Sequence, residues 1–155
     1  MAEITPRDAL TSIVTAFQTY WATVHPEVPV ALPNAPFNPP GTAAGTTEAD
    51  DDAWVRVFGT GFTDAGHVPY SGSVQNAFFA DRGRITFEVY VRQGQGVGNA
   101  LDLAYAIQGF LDNGARHADV IFSNRTAPQS VGGDGAWFQV IQAADWLYFN
   151  DKVAP

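Results

Sequence analysis

Gly94, Gly96 and Gly98 stand between an alternating segment and a helical one. Glycines so placed can let backbone N–H groups close on a phosphate at the start of the following helix. A dinucleotide fingerprint requires G-x-G-x-x-G. Here the sixth position is Asn99, and the last glycine falls one place early. No acidic residue ends a following parallel strand at the expected distance, and such a site also needs a parallel sheet. A tight strand-to-helix connection is the simpler reading.

The other reactive types give weaker patterns. Glu48, Asp50, Asp51 and Asp52 could bind a divalent cation. They lack the interleaved ligands and the glycine of a calcium loop, so a solvated acidic loop accounts for them. His25, His67 and His117 have no partner at zinc-site or metalloprotease spacing. No serine lies in G-x-S-x-G, including Ser71 in Tyr70-Ser71-Gly72. There is no cysteine, hence no disulfide and no thiolate chemistry. These patterns lead to the expectation of no catalysis, no cofactor and no metal.

The aromatic residues offer binding rather than reaction. Eleven Phe, five Tyr and four Trp mostly serve as core units. Some fall where exposure is expected. Tyr90 lies on the polar face of an alternating run, and Trp146, Tyr148 and Phe149 lie close to the C-terminus. With Phe37, Phe62 and Tyr70 from the loops, they are the candidate contact residues of a protein interface.

These side chains need elements to hold them. Thr5 to Val24 reads as an amphipathic helix with Thr5 as N-cap, Pro6 at the first position and an apolar stripe of Leu10, Ile13, Val14, Phe17, Trp21 and Val24. Pro26 to Asp52 is proline-rich, then small and polar. It reads as an extended arm, part of which rests on a neighbouring surface in the same or the next subunit. Trp54 to Phe58 is a short strand. Gly59 to Arg82 reads as a long irregular loop with a further strand possible at Val74 to Phe79. Arg84 to Arg92 alternates with period two, burying Ile85, Phe87, Val89 and Val91. Val97 to Asn113 is a helix with Gly114 as its stop, with Val97, Ala100, Leu101, Ala104, Ile107, Gln108 and Leu111 following at helical spacing. His117 to Asn124 is a strand, Arg125 to Gly135 a turn region, and Ala136 to Tyr148 a long strand with a break or bulge expected near Ala143-Ala144-Asp145. The expected fold is one α+β domain over residues 1–155, with a mainly antiparallel sheet of four to five strands and two helices on one face.

The 155 residues carry 16 acidic and 8 basic side chains, a net charge of −8. That balance disfavours ordinary nucleic-acid binding, which needs clustered Lys and Arg. It suits a passage to which DNA must not adhere. The start of the chain shows no basic-then-apolar leader. No apolar run approaches the roughly 20 residues of a membrane span, so a cytoplasmic site of synthesis is expected.

Three stretches together resemble a known family. Pro33-Asn34-Ala35-Pro36-Phe37-Asn38-Pro39-Pro40 precedes Trp54-Val55-Arg56-Val57. Gly83-Arg84-Ile85-Thr86-Phe87-Glu88-Val89-Tyr90-Val91 runs into the glycine turn and the helix Ala100 to Ile107. A glycine-rich hairpin leads into Gly135-Ala136-Trp137-Phe138-Gln139-Val140. This order, with the amino-terminal helix, resembles the tail terminator (tail completion) proteins of long-tailed bacteriophages and related particles, including gene-transfer-agent-like ones. The resemblance implies an α+β fold and a ring, typically of six copies, on the head-proximal end of the tail tube. Its implied partners are further copies of itself, the major tail tube protein and the head-side connector or stopper. DNA passes through the lumen without specific binding, with Asp50, Asp51 and Asp52 as candidate acidic residues of the lumen or a loop. The implied location is the tail–neck region of the virion, after synthesis in the host bacterial cytoplasm. The Gly59 to Arg82 stretch departs from the family pattern in length and apolarity.

Three other readings stay open at this stage. The chain could be another neck component, such as a head-completion or stopper protein. It could be a small nucleotide-binding enzyme using Gly94 to Gly98. It could be a ligand-binding α+β domain with Phe and Tyr lining a pocket.

Overall fold

The computed structural model describes residues 6–33, 35–39, 53–68, 78–94, 97–113 and 120–150. Its elements are α1 (Pro6–Val24), β1 (Val30–Ala31), β2 (Ala53–Val68), β3 (Phe78–Arg92), α2 (Val97–Asn113), β4 (Val120–Ser123), β5 (Gln129–Asp134) and β6 (Trp137–Asn150). The strands form one sheet in the order β1-β2-β3-β6-β4, with β5 also pairing β6. Every pairing is antiparallel except the two-residue β1 beside β2. The fold is α+β, as expected, with six strands rather than four to five because β1 and β5 join the sheet.

Period two decides which side of the sheet meets the helices. Val55 and Val57 of β2, Ile85, Phe87, Val89 and Val91 of β3, and Val140, Ala144 and Trp146 of β6 are all buried on the helix side. From α1 come Ala9, Ile13, Phe17 and Trp21, four residues apart on one helical face. From α2 come Ala100, Leu103, Ala104, Ile107, Phe110 and Leu111. Phe17 sits among them, 5.3 Å from Phe110 and 4.8 Å from Phe87. Burying a Phe fully contributes about 1.5–3 kcal/mol. The helical stripes differ slightly from expectation: Val24 and Val97 are exposed, while Leu103 and Phe110 are buried. A stripe wider than one row covers a sheet, so flanking positions are recruited or released by packing.

The residues from Gly59 to Arg82 correct the sequence reading. Over their described part they are not an irregular loop. β2 continues to Val68 and β3 begins at Phe78, and the two stay paired from Ala53↔Val91 to Val68↔Phe78. The register slips between Thr60 and Thr63 and again between Asp64 and His67. Gly61 and Gly66 lie inside those slips. A glycine weakens the alternation visible in sequence while serving the bulge that the pairing needs.

Two further corrections concern the last hairpin. Residues read as turn contain β5, paired to β6 with a register shift between Ser130 and Gly132. Gly132 (φ +97°) supplies the left-handed geometry there, and Gly135 (φ +62°) lies in the two-residue turn between Asp134 and Trp137. β6 is not broken at Ala143, because its pairing with β3 is continuous from Trp137 to Asn150. What changes there is its other neighbour. β5 pairs up to Ile141 and β4 pairs from Asp145. Thr126 bridges the gap: its N–H donates to Ala143 O (2.9 Å) and its Oγ1 accepts from Ala143 N–H (2.9 Å).

The start of the proline-rich arm is tied to its own chain. Trp21 Nε1 donates to Val28 O (3.1 Å), and Val55 N–H donates to Pro29 O (3.0 Å) before β1 pairs with β2. Part of the arm does lie on a neighbouring surface, here the chain's own β2. The expected cap Thr5, the helix stop Gly114 and residues 40–52 of the arm lie outside the described residues.

Candidate functional site

The glycine turn is a connection between β3 and α2. Gly94 (φ +96°) makes the turn, and Gln93 N–H donates to Ala136 O (2.9 Å), fixing its exit beside the β5–β6 hairpin. β3 is flanked on both sides by antiparallel partners, so no βαβ unit forms around this turn. Gln95 and Gly96 lie outside the described residues.

The richer constellation lies on the sheet face turned away from the helices. Alternation places Trp54, Arg56 and Phe58 of β2, Arg82, Arg84, Thr86, Glu88, Tyr90 and Arg92 of β3, and Trp137, Gln139, Ala143 and Asp145 of β6 on this side. Register then makes cross-strand pairs of Trp54 with Tyr90, Arg56 with Glu88, Gln139 with Tyr90, Trp137 with Arg92 and Asp145 with Arg84. Each pair is in contact. The Trp54 and Tyr90 rings stack 4.0 Å apart at 8°, and Trp137 meets Trp54 edge-on at 6.1 Å. The Arg92 guanidinium lies 4.1 Å above the Trp137 ring. Glu88 Oε2 accepts from Tyr90 Oη (2.9 Å) and lies 3.4 Å from Arg56 Nη1. Gln139 Nε2 donates to Tyr90 Oη (3.1 Å). Asp145 accepts from Arg84 Nη1 on one oxygen and from Asn124 Nδ2 on the other, both at 3.0 Å.

Burial pushes the Tyr90 phenol up to about 12, with its hydrogen bond to the Glu88 carboxylate acting in the same direction. The phenol therefore stays protonated and acts as a hydrogen-bond relay between strands, not as a base. The arm reaches this end of the face: Phe37 packs on Trp54 with centroids 5.1 Å apart. Between arm and sheet lies a groove of about 530 Å³ lined by Leu32, Pro33, Phe37, Trp54, Arg56 and Phe58. Among the described residues no group of three or more His, Cys, Asp or Glu is placed to hold a metal ion. No helix among them is long and apolar enough to cross a membrane.

The candidate contact residues divide. Tyr90 and Phe37 come together around Trp54. Trp146 does not join them: it is fully buried on the helix side, opposite Gly83. Proximity to the C-terminus suggested exposure, but Trp146 shares strand parity with Val140 and Ala144, and parity decides. Phe62 is a β2 position within a register slip. Tyr148 pairs with Asp81 and Val120, and Phe149 with Ala80. Tyr70, Asp50, Asp51 and Asp52 lie outside the described residues. Sequence reasoning missed Arg56, Glu88, Arg92, Gln139 and the Arg84–Asp145 pair as a group. The parity of each strand was visible, but the register that aligns the strands was not.

No family model and no curated protein matches the chain. Among solved structures nineteen chains match. One of them, a protein known only by a sequence identifier, superposes with a TM-score of 0.54 at 16% identity, over 94% of this chain and 98% of that one. At that identity the likeness is one of fold.

Proposed function

We propose that this chain is a structural tail terminator. It forms a ring on the head-proximal end of a tail tube, stops the tube's polymerisation and joins the tail to the head connector, with DNA passing through the lumen. The observation that carries this reading is the long β2–β3 pair beside β6. Among the described side chains, β2 enters the helix-covered core only at Val55 and Val57, yet the strand continues to Val68. β6 accompanies β3 as far as Asn150 opposite Phe79. Among the described residues no helix packs on the other face of this sheet and no strand pairs with the margin of β2 beyond Arg56, and such surfaces are material for contacts between proteins. A ring needs a heterologous contact whose rotation closes, and such margins supply it.

The proposed work is mechanical. One side of the ring reproduces the docking chemistry of a tube subunit through strand margins and loops. The other side lacks it, so no further tube subunit adds. Deleting residues 61–72 removes the projecting end and leaves every described core residue in place. The shortened protein is expected to keep its circular-dichroism spectrum and to lose tail capping, giving tubes of uncontrolled length by electron microscopy. Tails of normal length in a strain lacking the whole gene would refute the terminator reading. Co-purification with the portal-side protein and not with the tube protein would move the chain to a stopper role.

A further inference from the structure

We propose that the margin of β2 from Val57 to Gly59, with the groove beside it, takes an extended apolar peptide segment of a partner protein as an added strand. The site does not depend on the ring. It leaves the projecting end of β2, beyond the slip after Thr60, to the ring contacts proposed above. Backbone direction fixes what the margin offers. Val55 N–H donates to Pro29 O, so the main chain of Val55 points toward β1 and away from β3. The pairing of β2 with β3 runs without a slip from Ala53 to Thr60. Main-chain groups alternate sides along a strand, so those of Val57 and Gly59 point the same way as those of Val55. β1 ends at Ala31, beside Arg56. The arm then turns off, with Ala35 N–H donating to Leu32 O (3.3 Å). Among the described residues no strand pairs with Gly59 on this side. Its N–H and C=O are a template for one more strand.

The groove of about 530 Å³ lies along this same margin, and its lining comes from both faces of the sheet. Leu10 of α1 and Val57 belong to the helix side, Arg56 and Phe58 to the other, and Leu32 and Phe37 of the arm complete it. A strand added to a margin sends alternate side chains to opposite faces, so it needs room on both. Leu10, Leu32, Phe37 and Phe58 are half-buried and leave apolar surface for those side chains. Gly59 is also part of the lining and has no side chain to narrow the approach of another backbone. The chain itself shows that this margin accepts a strand, because β1 already pairs with its first two residues there, Val55 and Arg56.

Two rival occupants fit less well. A compact apolar molecule would fill the groove but leave the main-chain groups of Gly59 unmet. A strand of a second copy would have to come from the other margins of this sheet. There β4 is only four residues long, and β5 carries a register shift between Ser130 and Gly132. Short and bulged margins discourage pairing between sheets. An extended segment of another protein meets both the backbone groups and the two-sided lining.

The probe is a blocked peptide, acetyl-Leu-Thr-Val-Thr-Leu-amide, with two analogues N-methylated at the central valine or at the threonine after it. Neighbouring N–H groups of a strand point to opposite sides, so only one of the two methyl groups meets β2. The full chain is titrated with each peptide and followed by the nuclear magnetic resonance signal of the Gly59 amide. The parent peptide is expected to bind at about millimolar concentration or tighter, moving that signal and slowing the amide's hydrogen exchange. One analogue is expected to bind about tenfold more weakly and the other as well as the parent, the mark of one lost main-chain bond. Gly59→Pro removes the outward donor and keeps the bonds to β3, so it is expected to fold as wild type and bind at least tenfold more weakly. If that variant fails to fold, the two analogues decide the matter on the wild type. Failure of the parent peptide to bind at about 5 mM, or binding that leaves the Gly59 amide unmoved, would overturn the site. Equal binding of both analogues would give the groove to a compact apolar ligand. A Gly59 amide protected by self-association without peptide would give the margin to a second copy. Each of these outcomes leaves the terminator reading untouched, since tail capping is scored separately.

Discussion

Gly83 of β3 and Trp146 of β6 lie directly opposite one another, and the indole occupies the space that a side chain on Gly83 would need. A Cβ built there falls within the ring atoms of Trp146. Trp146 is fully buried and cannot swing out without opening the core beneath α2. Gly83→Ala is therefore expected to destabilise the protein by about 1–3 kcal/mol, the usual cost of overpacking. Urea unfolding checks it. An unchanged midpoint would mean that the indole has room to move.

Thr126 plays the part of a missing strand residue. It meets Ala143 where β5 has ended and β4 has not begun. Thr126→Val keeps the shape and the main-chain bond to Ala143 O but leaves the Ala143 N–H without its acceptor. The expected loss is about 1–3 kcal/mol, the cost of an unmet buried donor. Hydrogen exchange at the Ala143 amide should accelerate in Thr126→Val and stay slow in Thr126→Ser.

The same two places show what a sequence can tell and what it withholds. Helix α1 and the buried row Ile85, Phe87, Val89 and Val91 are local patterns, so period alone revealed them. Helix α2 is legible in the same way, though the burial of Leu103 and Phe110 is set by the sheet beneath them. The strand character of residues 59–68 was hidden because Gly59, Gly61 and Gly66 break the alternation. Those residues are held extended by pairing with the next strand, β3, which single-residue propensity does not register. Trp146 faces inward for a related reason: strand parity is a stronger constraint than nearness to the end of the chain. On the open face, each strand's contribution was legible. The cluster of Trp54, Tyr90, Arg92 and Trp137 exists only once three registers are fixed.

Tyr90 should leave a mark on the pH dependence of stability. Its ordinary phenol value of 10 is raised to about 12 in the folded state. In the unfolded chain the proton leaves near 10, while the folded protein keeps it until about 12. Over that window the unfolded state binds fewer protons, so stability falls as pH rises. The contribution is intact below 10 and gone above 12. Tyr90→Phe should flatten the fall between these values in urea melts taken across the range. An equally steep fall in the variant would place the titrating group elsewhere.

Gln142 is a polar residue in an apolar place. It is 1% exposed on the helix side of β6, and its amide nitrogen and oxygen have no hydrogen-bond partner among the described residues. Its strand neighbours on that side are Val140 and Ala144, and it pairs with Phe87. A buried amide without partners costs about 1–3 kcal/mol. Gln142→Met preserves length and removes both polar atoms, so the variant should be more stable by about 1 kcal/mol or more. A lower melting temperature in Gln142→Met would show that the amide is satisfied in solution.

Phe37 links the arm to the uncovered face. Its ring packs on Trp54, which is only 9% exposed. The bonds from the Trp21 indole N–H to Val28 O and from Val55 N–H to Pro29 O anchor the arm upstream of Phe37, so they survive its truncation. Phe37→Ala should therefore open the groove beside Trp54 without releasing β1. The expected signs are a red shift of tryptophan emission and faster quenching by acrylamide, with a stability loss of about 1–3 kcal/mol. Trp54 would still lie flat on Tyr90, because that stacking is set by the β2–β3 register. If Phe37→Ala weakens ring formation while Arg92 and Trp137 keep their contact, the arm takes part in assembly. If emission and assembly are both unchanged, Phe37 does not cover Trp54 in solution, and the arm has no part in assembly.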